Sequence, residues 1–599
     1  MPPADPPTPS STLSLFGTFM ALLGTMSSRR RRHLAGAAAA LAIGAFAELM
    51  TIGAVLPFLA LVADPARAAE LPGFSLFLAL TGAEPGDDLL SRAAILLIAA
   101  TLAAAGARVL ILWMIQRFII AFSHDIGTAI FGRMLRQPYS YYVTRNPSEL
   151  LASIEKVHII TFATLLPLLS AISSTLMAAA IVALLLWIDP FTAAIAAIAV
   201  GLLYMGVSIV TRPRLRANSQ ILSQTGTARI QAIQEGLGGI RDILLGNSQH
   251  VFEENFRRLD LRYRRAHALN LFMSGAPRFI IEAAGVVVLI LLALTLSLRP
   301  GGIVAAIPVL GALALGAQRL LPLIQQSYVG WSSFAGSAGM VADVIALMQA
   351  PVLTVPAPGS RERPEPFATD IVFDNVSLHY PDRTPALRGI DLRIGKGERI
   401  GLVGTTGSGK SSLLDLLMAL IEPSEGEIRI DGTRLDDRTR AKWQAQIAHV
   451  PQSLYLADGS IASNIAFAEP EAEIDRARVE EAARLAQLHE FIAALPQGYA
   501  TEVGERGVRL SGGQRQRIGI ARALYKQAGV LIFDEATGAL DRKTEKAIMA
   551  EVAALGRDIT MIVVAHRISA LTLCDRIVRL EGGRIVDSGG HEELVGEAG

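Results

Sequence analysis

The chain has 599 residues, too many for one ordinary domain, and its net charge of +1 gives it no global attraction for nucleic acid. Hydrophobic residues make up 51% of it and mean hydropathy is +0.41, which suits a chain that is part membrane and part globular. The lone cysteine, Cys574, excludes an intrachain disulfide and reads as core packing.

The first ten residues are Pro-rich and predict a disordered tail. Leu13 to Met26 is apolar but too short to span, and Arg29 to Arg32 follow it instead of preceding it. That order argues against a cleaved signal peptide and predicts a helix along the membrane surface, so that 1–28 forms a tail and interfacial helix. Within 29–348 six stretches reach the ~20 apolar residues of a span: 34–62, 92–121, 158–187, 191–211, 271–298 and 302–330. Only Asp189-Pro190 separates the third from the fourth, which makes a tight external turn. The sixth pattern runs on toward Met348, so that helix projects past the membrane.

Arginine and lysine set the orientation. Arg29–Arg32 precede the first span, and Arg117, Arg133, Arg136, Arg145 and Lys156 lie around the second connection. Arg212 to Arg265 fill the fourth, while the outer loops hold Asp64, Glu70, Glu84, Asp87, Asp88 and Asp189. Both ends therefore lie inside.

Three arginines sit within spans: Arg108, Arg278 and Arg319. An arginine there costs about 2.5–3.5 kcal/mol on insertion scales, so it faces a cavity or a partner. A planar guanidinium suits a phosphate; Glu48 and Glu282 offer internal ion pairs instead. Leu71 to Leu80, after the first span, is apolar and short, and predicts a helix in the outer interface. Residues 349–366 form a Pro-rich linker to a globular region over 367–599.

That region opens its chemistry at Gly404-Thr405-Thr406-Gly407-Ser408-Gly409-Lys410-Ser411, a phosphate-binding loop pattern. The apolar Arg399–Val403 precedes it, and an apolar-periodic segment beginning at Ser412 follows. Leu510-Ser511-Gly512-Gly513-Gln514 comes a hundred residues on, then Val530–Phe533 running into Asp534-Glu535. Alone, the loop fits any NTPase. In this order the set resembles the ATP-binding cassette (ABC) proteins. Tyr380 resembles that family's adenine-stacking aromatic, Gln452 its Q-loop glutamine, Asp541 its D-loop aspartate and His566 its switch histidine.

The resemblance implies a helical membrane domain of six transmembrane helices fused to an α/β cassette, an ABC exporter binding ATP and Mg²⁺. Lys410 would meet the β- and γ-phosphates, while Ser411, Gln452 and Asp534 gather around Mg²⁺. Glu535 would polarise the attacking water and His566 hold the γ-phosphate. Ser511–Gly513 of one cassette would complete the ATP site of another, so one cassette per chain implies a homodimer. Pro147–Leu151 and Gly238–Asp242 look like the segments that dock on cassettes. A short outer helix with Arg108, Arg278 and Arg319 resembles the lipid-linked oligosaccharide flippases of bacterial N-glycosylation. Their substrate is a polyprenyl-pyrophosphate oligosaccharide; the alternatives are another anionic lipid such as the lipid A core, or a peptide or amphipathic drug. Localisation in the bacterial inner membrane follows, with the cassette in the cytoplasm.

Overall fold

The computed structural model describes residues 28–63, 89–188, 190–297, 302–353, 367–380, 385–565 and 571–590, with a few single residues beside them. The expected interfacial helix at 13–26, nearly all of 71–80, most of the linker and His566 lie outside the described residues. Two units emerge: 1–137 with 145–351, and 138–144 with 352–599.

The first unit is helical. Its elements are α1 (Ser28–Ala63), α2 (Leu89–Met134), α4 (Pro147–Ile159), α5 (Leu166–Ile188), α6 (Pro190–Gly238), α7 (Ile240–Leu245), α8 (Gln249–Gly275), α9 (Pro277–Ser297) and α10 (Gly302–Gln349); α3 (Tyr139–Thr144) belongs to the second unit. Among the described residues, four stretches are long and apolar enough to cross a membrane: 89–134, 148–187, 197–238 and 318–349. Ile95, Leu102 and Val109 of α2 are exposed, the pattern of a helix that faces lipid. Small residues let helices approach: a Cβ on Gly330 of α10 would lie 2.3 Å from Ala171 Cβ and 2.4 Å from the Pro167 carbonyl of α5. Between α4 and α5 the helix widens into one π-turn over Ile160–Leu165. Pro167 lies just beyond it and cannot donate to the helix, so widened spacing there is a low-cost accommodation. Polar pins cross the bundle: Arg30 Nε donates to Asp125 Oδ2 at 2.6 Å, and Lys156 Nζ and Ser223 Oγ both donate to Asp343 Oδ2 at 2.6 Å.

One expected docking segment is corrected. Pro147–Leu151 opens α4, with Asn146 at the N-cap and Pro147 at the first helical position, where a missing N–H costs nothing. The segment that clusters with the cassette is instead Pro138–Thr144, including α3. Gly238–Asp242 leads into α7, whose Leu244 and Leu245 are exposed.

The second unit holds two sheets. An antiparallel one has the order β2-β1-β4-β5, from β1 (Asp370–Leu378), β2 (Leu387–Gly395), β4 (Glu425–Ile430) and β5 (Thr433–Arg434). The other has the order β10-β9-β3-β8-β7-β6, from β3 (Arg399–Val403), β6 (Ile447–Val450), β7 (Val530–Asp534), β8 (Thr560–Val564), β9 (Arg576–Glu581) and β10 (Arg584–Gly589). Only β10 runs antiparallel in it. The parallel strands β3, β7 and β8 read as apolar runs because both faces are covered. Three helices bear on the site: α11 (Lys410–Leu417), α12 (Gly512–Tyr525) and α13 (Arg542–Ala554). The carboxyl ends of β3, β6 and β7 gather the loops that carry the motifs, where open α/β sheets place ligands.

Candidate functional site

Beyond β3 the chain turns through Gly404, Gly407 and Gly409 at φ +154°, +82° and +106°. A Cβ at Gly404 would lie 2.3 Å from the Leu580 carbonyl, and one at Gly409 2.7 Å from a Leu387 methyl, so the loop admits no side chains there. Gly409 stands at the N-cap of α11 without a side-chain cap. The first turn's amides at Lys410, Ser411 and Ser412 thus face outward; the helix ladder begins at Leu413 N–H to the Gly409 carbonyl, 2.9 Å. Such a terminus suits phosphate. Lys410 is buried, its Nζ donating to the carbonyls of Gly404 (2.8 Å) and Thr405 (3.0 Å). Thr405, Thr406 and Ser411 are exposed, while the Ser408 hydroxyl is buried with no hydrogen-bond partner. Tyr380 is half-buried, its hydroxyl 3.5 Å from Ser412 Oγ.

At the end of β7, Asp534 is followed by Glu535 at φ +50°, a left-handed turn that a non-glycine residue adopts at a cost. Gln452 Nε2 donates to Glu535 Oε2 at 2.6 Å. Burial, then adjacent Glu535, push the Asp534 carboxyl up, against Lys410. Asp415 was not anticipated from the sequence. It lies on α11 one turn after Ser411, and burial with Asp534 pushes it up to about 6. Its i, i+4 spacing from Ser411 was the available signal. Two carboxyls disfavoured as anions are what a hard cation corrects, and Ser411, Gln452 and Asp534 supply the oxygens Mg²⁺ prefers. The donor set fits. No group of three or more His, Cys, Asp or Glu that could hold a metal ion occurs among the described residues.

Ser511 caps α12 in a capping box: its Oγ accepts from Gln514 N–H (3.3 Å), and its own N–H donates to Gln514 Oε1 (2.8 Å). Ser511 stays exposed, and Gly512 and Gly513 lie against Ala539. Asp541 caps α13, accepting from Thr544 N–H (3.0 Å) and Oγ1 (2.7 Å), which hold its carboxyl below the usual range. A cavity of about 190 Å³ brings Gln452, Gln516, Glu535, Thr537 and Ala539 together.

In the helical unit a second cavity, about 370 Å³, is lined by Arg108 of α2, Ser170, Ser173 and Ser174 of α5, and Gln318, Arg319 and Gln326 of α10, against apolar walls. Ser174 Oγ donates to Gln326 Oε1 at 2.7 Å. The serines and glutamines were missed in the sequence, where they are small polar breaks in apolar stretches. Within the chain, Arg108 and Arg319 share this cavity. Arg278 is absent from this lining; its Nε donates to Glu282 Oε1 at 2.7 Å, four residues on along an exposed face of α9. The internal pairing weighed for Arg278 is the arrangement observed; the Glu48 side chain lies outside those described.

A family model described as ABC transporter matches residues 387–538, and one described as ABC transporter transmembrane region matches 65–300. An "ATP-dependent lipid A-core flippase" of Alkalilimnicola ehrlichii is 33% identical over 488 residues, 79% of this chain and 80% of its own. A protein of the same description from Chromohalobacter salexigens is 31% identical over 486 residues, 80% and 82% of the two chains. One from Salmonella typhimurium is 46% identical over 231 residues, 38% and 40%. A solved structure of a bacterial Atm1-family ABC exporter with ATP bound superposes with TM-score 0.76 over 95% of this chain and 96% of its own, at 24% identity, a likeness of fold.

Proposed function

Since the chain belongs to the ABC transporter family, with a transmembrane region and an ATPase cassette in one polypeptide, we propose that its substrate is an anionic glycolipid of the lipid A-core class, flipped from inner to outer leaflet. That it is an ATP-driven membrane exporter follows from the family itself. The substrate rests on one observation above all: Arg108 and Arg319 share an apolar-walled cavity rich in hydroxyl and amide groups. Guanidinium forks bind phosphate oxygens bidentately, and apolar walls tolerate an acyl chain. The expectation of a polyprenyl-pyrophosphate oligosaccharide yields to this one, because relatives covering about four fifths of the chain are described as lipid A-core flippases.

The cassette residues then take these roles. ATP with Mg²⁺ supplies the phosphoanhydride whose hydrolysis drives the cycle. Lys410 and the first-turn amides of α11 hold the phosphates, and Ser411, Gln452 and Asp534 hold the cation. Glu535 accepts the proton of the attacking water, with Gln452 fixing the carboxylate. Tyr380 would stack on the base, and His566, whose role rests on its sequence motif alone, would contact the γ-phosphate. Two copies assemble so that Ser511–Gly513, Gln514 and Asp541 of one complete the site of the other. The cassette faces the cytoplasm from the bacterial inner membrane.

The test is lipid-stimulated ATPase in nanodiscs containing lipid A-core. Arg108→Ala and Arg319→Ala should each weaken the lipid's half-stimulating concentration roughly 10–100-fold, the worth of a lost charge-assisted hydrogen bond. Arg278→Ala should weaken it less, because Arg278 pairs with Glu282 and does not line this cavity. Unchanged stimulation in Arg108→Ala and Arg319→Ala would remove the headgroup from this cavity.

A further inference from the structure

One hydrogen bond joins the start of α12 to the turn that carries Glu535. Glu535 begins a run of tight turns: its carbonyl accepts from Gly538 N–H (3.3 Å), and the Thr537 carbonyl accepts from Leu540 N–H (3.0 Å). Ala539 lies between them, and its N–H goes to neither. It donates to Gln516 Oε1, 2.9 Å away on α12. Gly512 and Gly513 abut the same residue, since a Cβ on Gly513 would lie 3.3 Å from the Ala539 carbonyl. The Glu535 turn thus rests on α12 through a side-chain hydrogen bond and close backbone contact. Gln516 also lines the cavity that holds Gln452 and Glu535.

This bond is not needed for folding. Ala539 is exposed, so its N–H would find water if the glutamine were gone. What the bond supplies is position. Five residues before Gln516 stands Ser511, the N-cap of the same helix and the residue assigned to a second copy's ATP.

We propose that Gln516 is a positioning residue: it transmits the seating of the second copy's ATP on the α12 N-terminus to the turn that aims Glu535 at the chain's own ATP. This rests on the composite-site reading above, because a chain that hydrolysed ATP alone would have nothing seated at Ser511. The two ATP sites of a dimer are then coupled through Gln516 in each chain. Coupling requires only that α12 and the turn move as one body, which the Ala539 contacts favour.

The experiment measures ATPase activity against ATP concentration for the full-length protein in lipid nanodiscs. Gln516→Leu keeps the side-chain bulk and removes the acceptor; Gln516→Glu keeps an oxygen for the Ala539 N–H. Gln516→Leu should lower kcat about 10-fold, the effect of one hydrogen bond on a barrier, and flatten the cooperative ATP dependence toward a simple hyperbola. KM should move less than about twofold, since the P-loop is untouched. Gln516→Glu should recover part of both kcat and cooperativity, with the thermal midpoint unchanged in either variant. Wild-type kcat and cooperativity in Gln516→Leu would overturn the inference, as would a loss that tracks a fall in thermal midpoint and is not relieved by Gln516→Glu. Ser511→Arg, run in parallel, separates the two failures. If it hydrolyses ATP normally, the composite site falls and the coupling with it; if it is inactive while Gln516→Leu is normal, only the role of Gln516 falls.

Discussion

Asp415 gives the most quantitative prediction. Its carboxyl is pushed from 3.8 up to about 6, by burial first and by Asp534 second. The folded chain therefore binds more protons at this site than the unfolded chain between those two values, and stability falls as pH rises through that window. About two units at 1.36 kcal/mol each set a ceiling for the ionised residue of about 3 kcal/mol at pH 7.5 and about 1.6 kcal/mol at pH 5, lowered by solvent screening because the site is only partly buried. Asp415→Asn keeps the shape and removes the charge. It should stabilise the nucleotide-free cassette by up to about 3 kcal/mol at pH 7.5, a ceiling because the amide must find its own hydrogen bonds. For a domain of this size that is roughly 6–12 °C in thermal midpoint, with about half the gain at pH 5. Saturating Mg²⁺ and ATP should shrink the gain, since a cation beside Asp534 favours the ionised form of Asp415. The assay is thermal unfolding of full-length wild type and Asp415→Asn at both pH values, with and without Mg²⁺ and ATP. No gain at pH 7.5, or an equal gain at both pH values, would mean that the ionised Asp415 does not destabilise the cassette.

Three other outcomes are expected. Glu535→Gln should retain ATP binding yet lose about 10²–10⁴ in turnover, measured by phosphate release, because the amide cannot take the water's proton. Ser511→Arg should abolish hydrolysis and trap no ATP-dependent dimer on cross-linking. Gly330→Leu should separate α10 from α5, since its Cβ would start 2.3 Å from Ala171 Cβ; the overpacking should cost about 1–3 kcal/mol or more, read as a lowered midpoint with the cassette's ATP affinity intact.

The cassette was legible in the sequence because its chemistry is local. Gly404–Ser411 form their cradle within one turn, and Ser511 finds Gln514 three residues on. Partners brought together by the sheet were not legible: the bond of Gln516 to Ala539 spans 23 residues, and Asp415 acquires its raised pKa only once folding buries it and, second, β7 places Asp534 beside α11. In the helical unit, apolar length gave the helices but not their rotation. Arg108 and Arg319 turn to one cavity while Arg278 pairs along its own helix, a distinction set by facing helices rather than by hydropathy. The short helix Tyr139–Thr144 escaped notice because its Tyr-rich sequence carries neither cap nor periodic signal at six residues.

Flipping measured directly tests whether ATP hydrolysis here moves a phosphorylated glycolipid. Proteoliposomes of the full-length protein should carry fluorescent lipid A-core between leaflets only with Mg²⁺ and ATP. Transport should fail with Glu535→Gln, and it should slow strongly when the lipid's phosphates are removed. Faster transport of a polyprenyl-pyrophosphate oligosaccharide, or equal transport of the dephosphorylated lipid, would exclude a lipid A-core phosphate as the group this chain recognises.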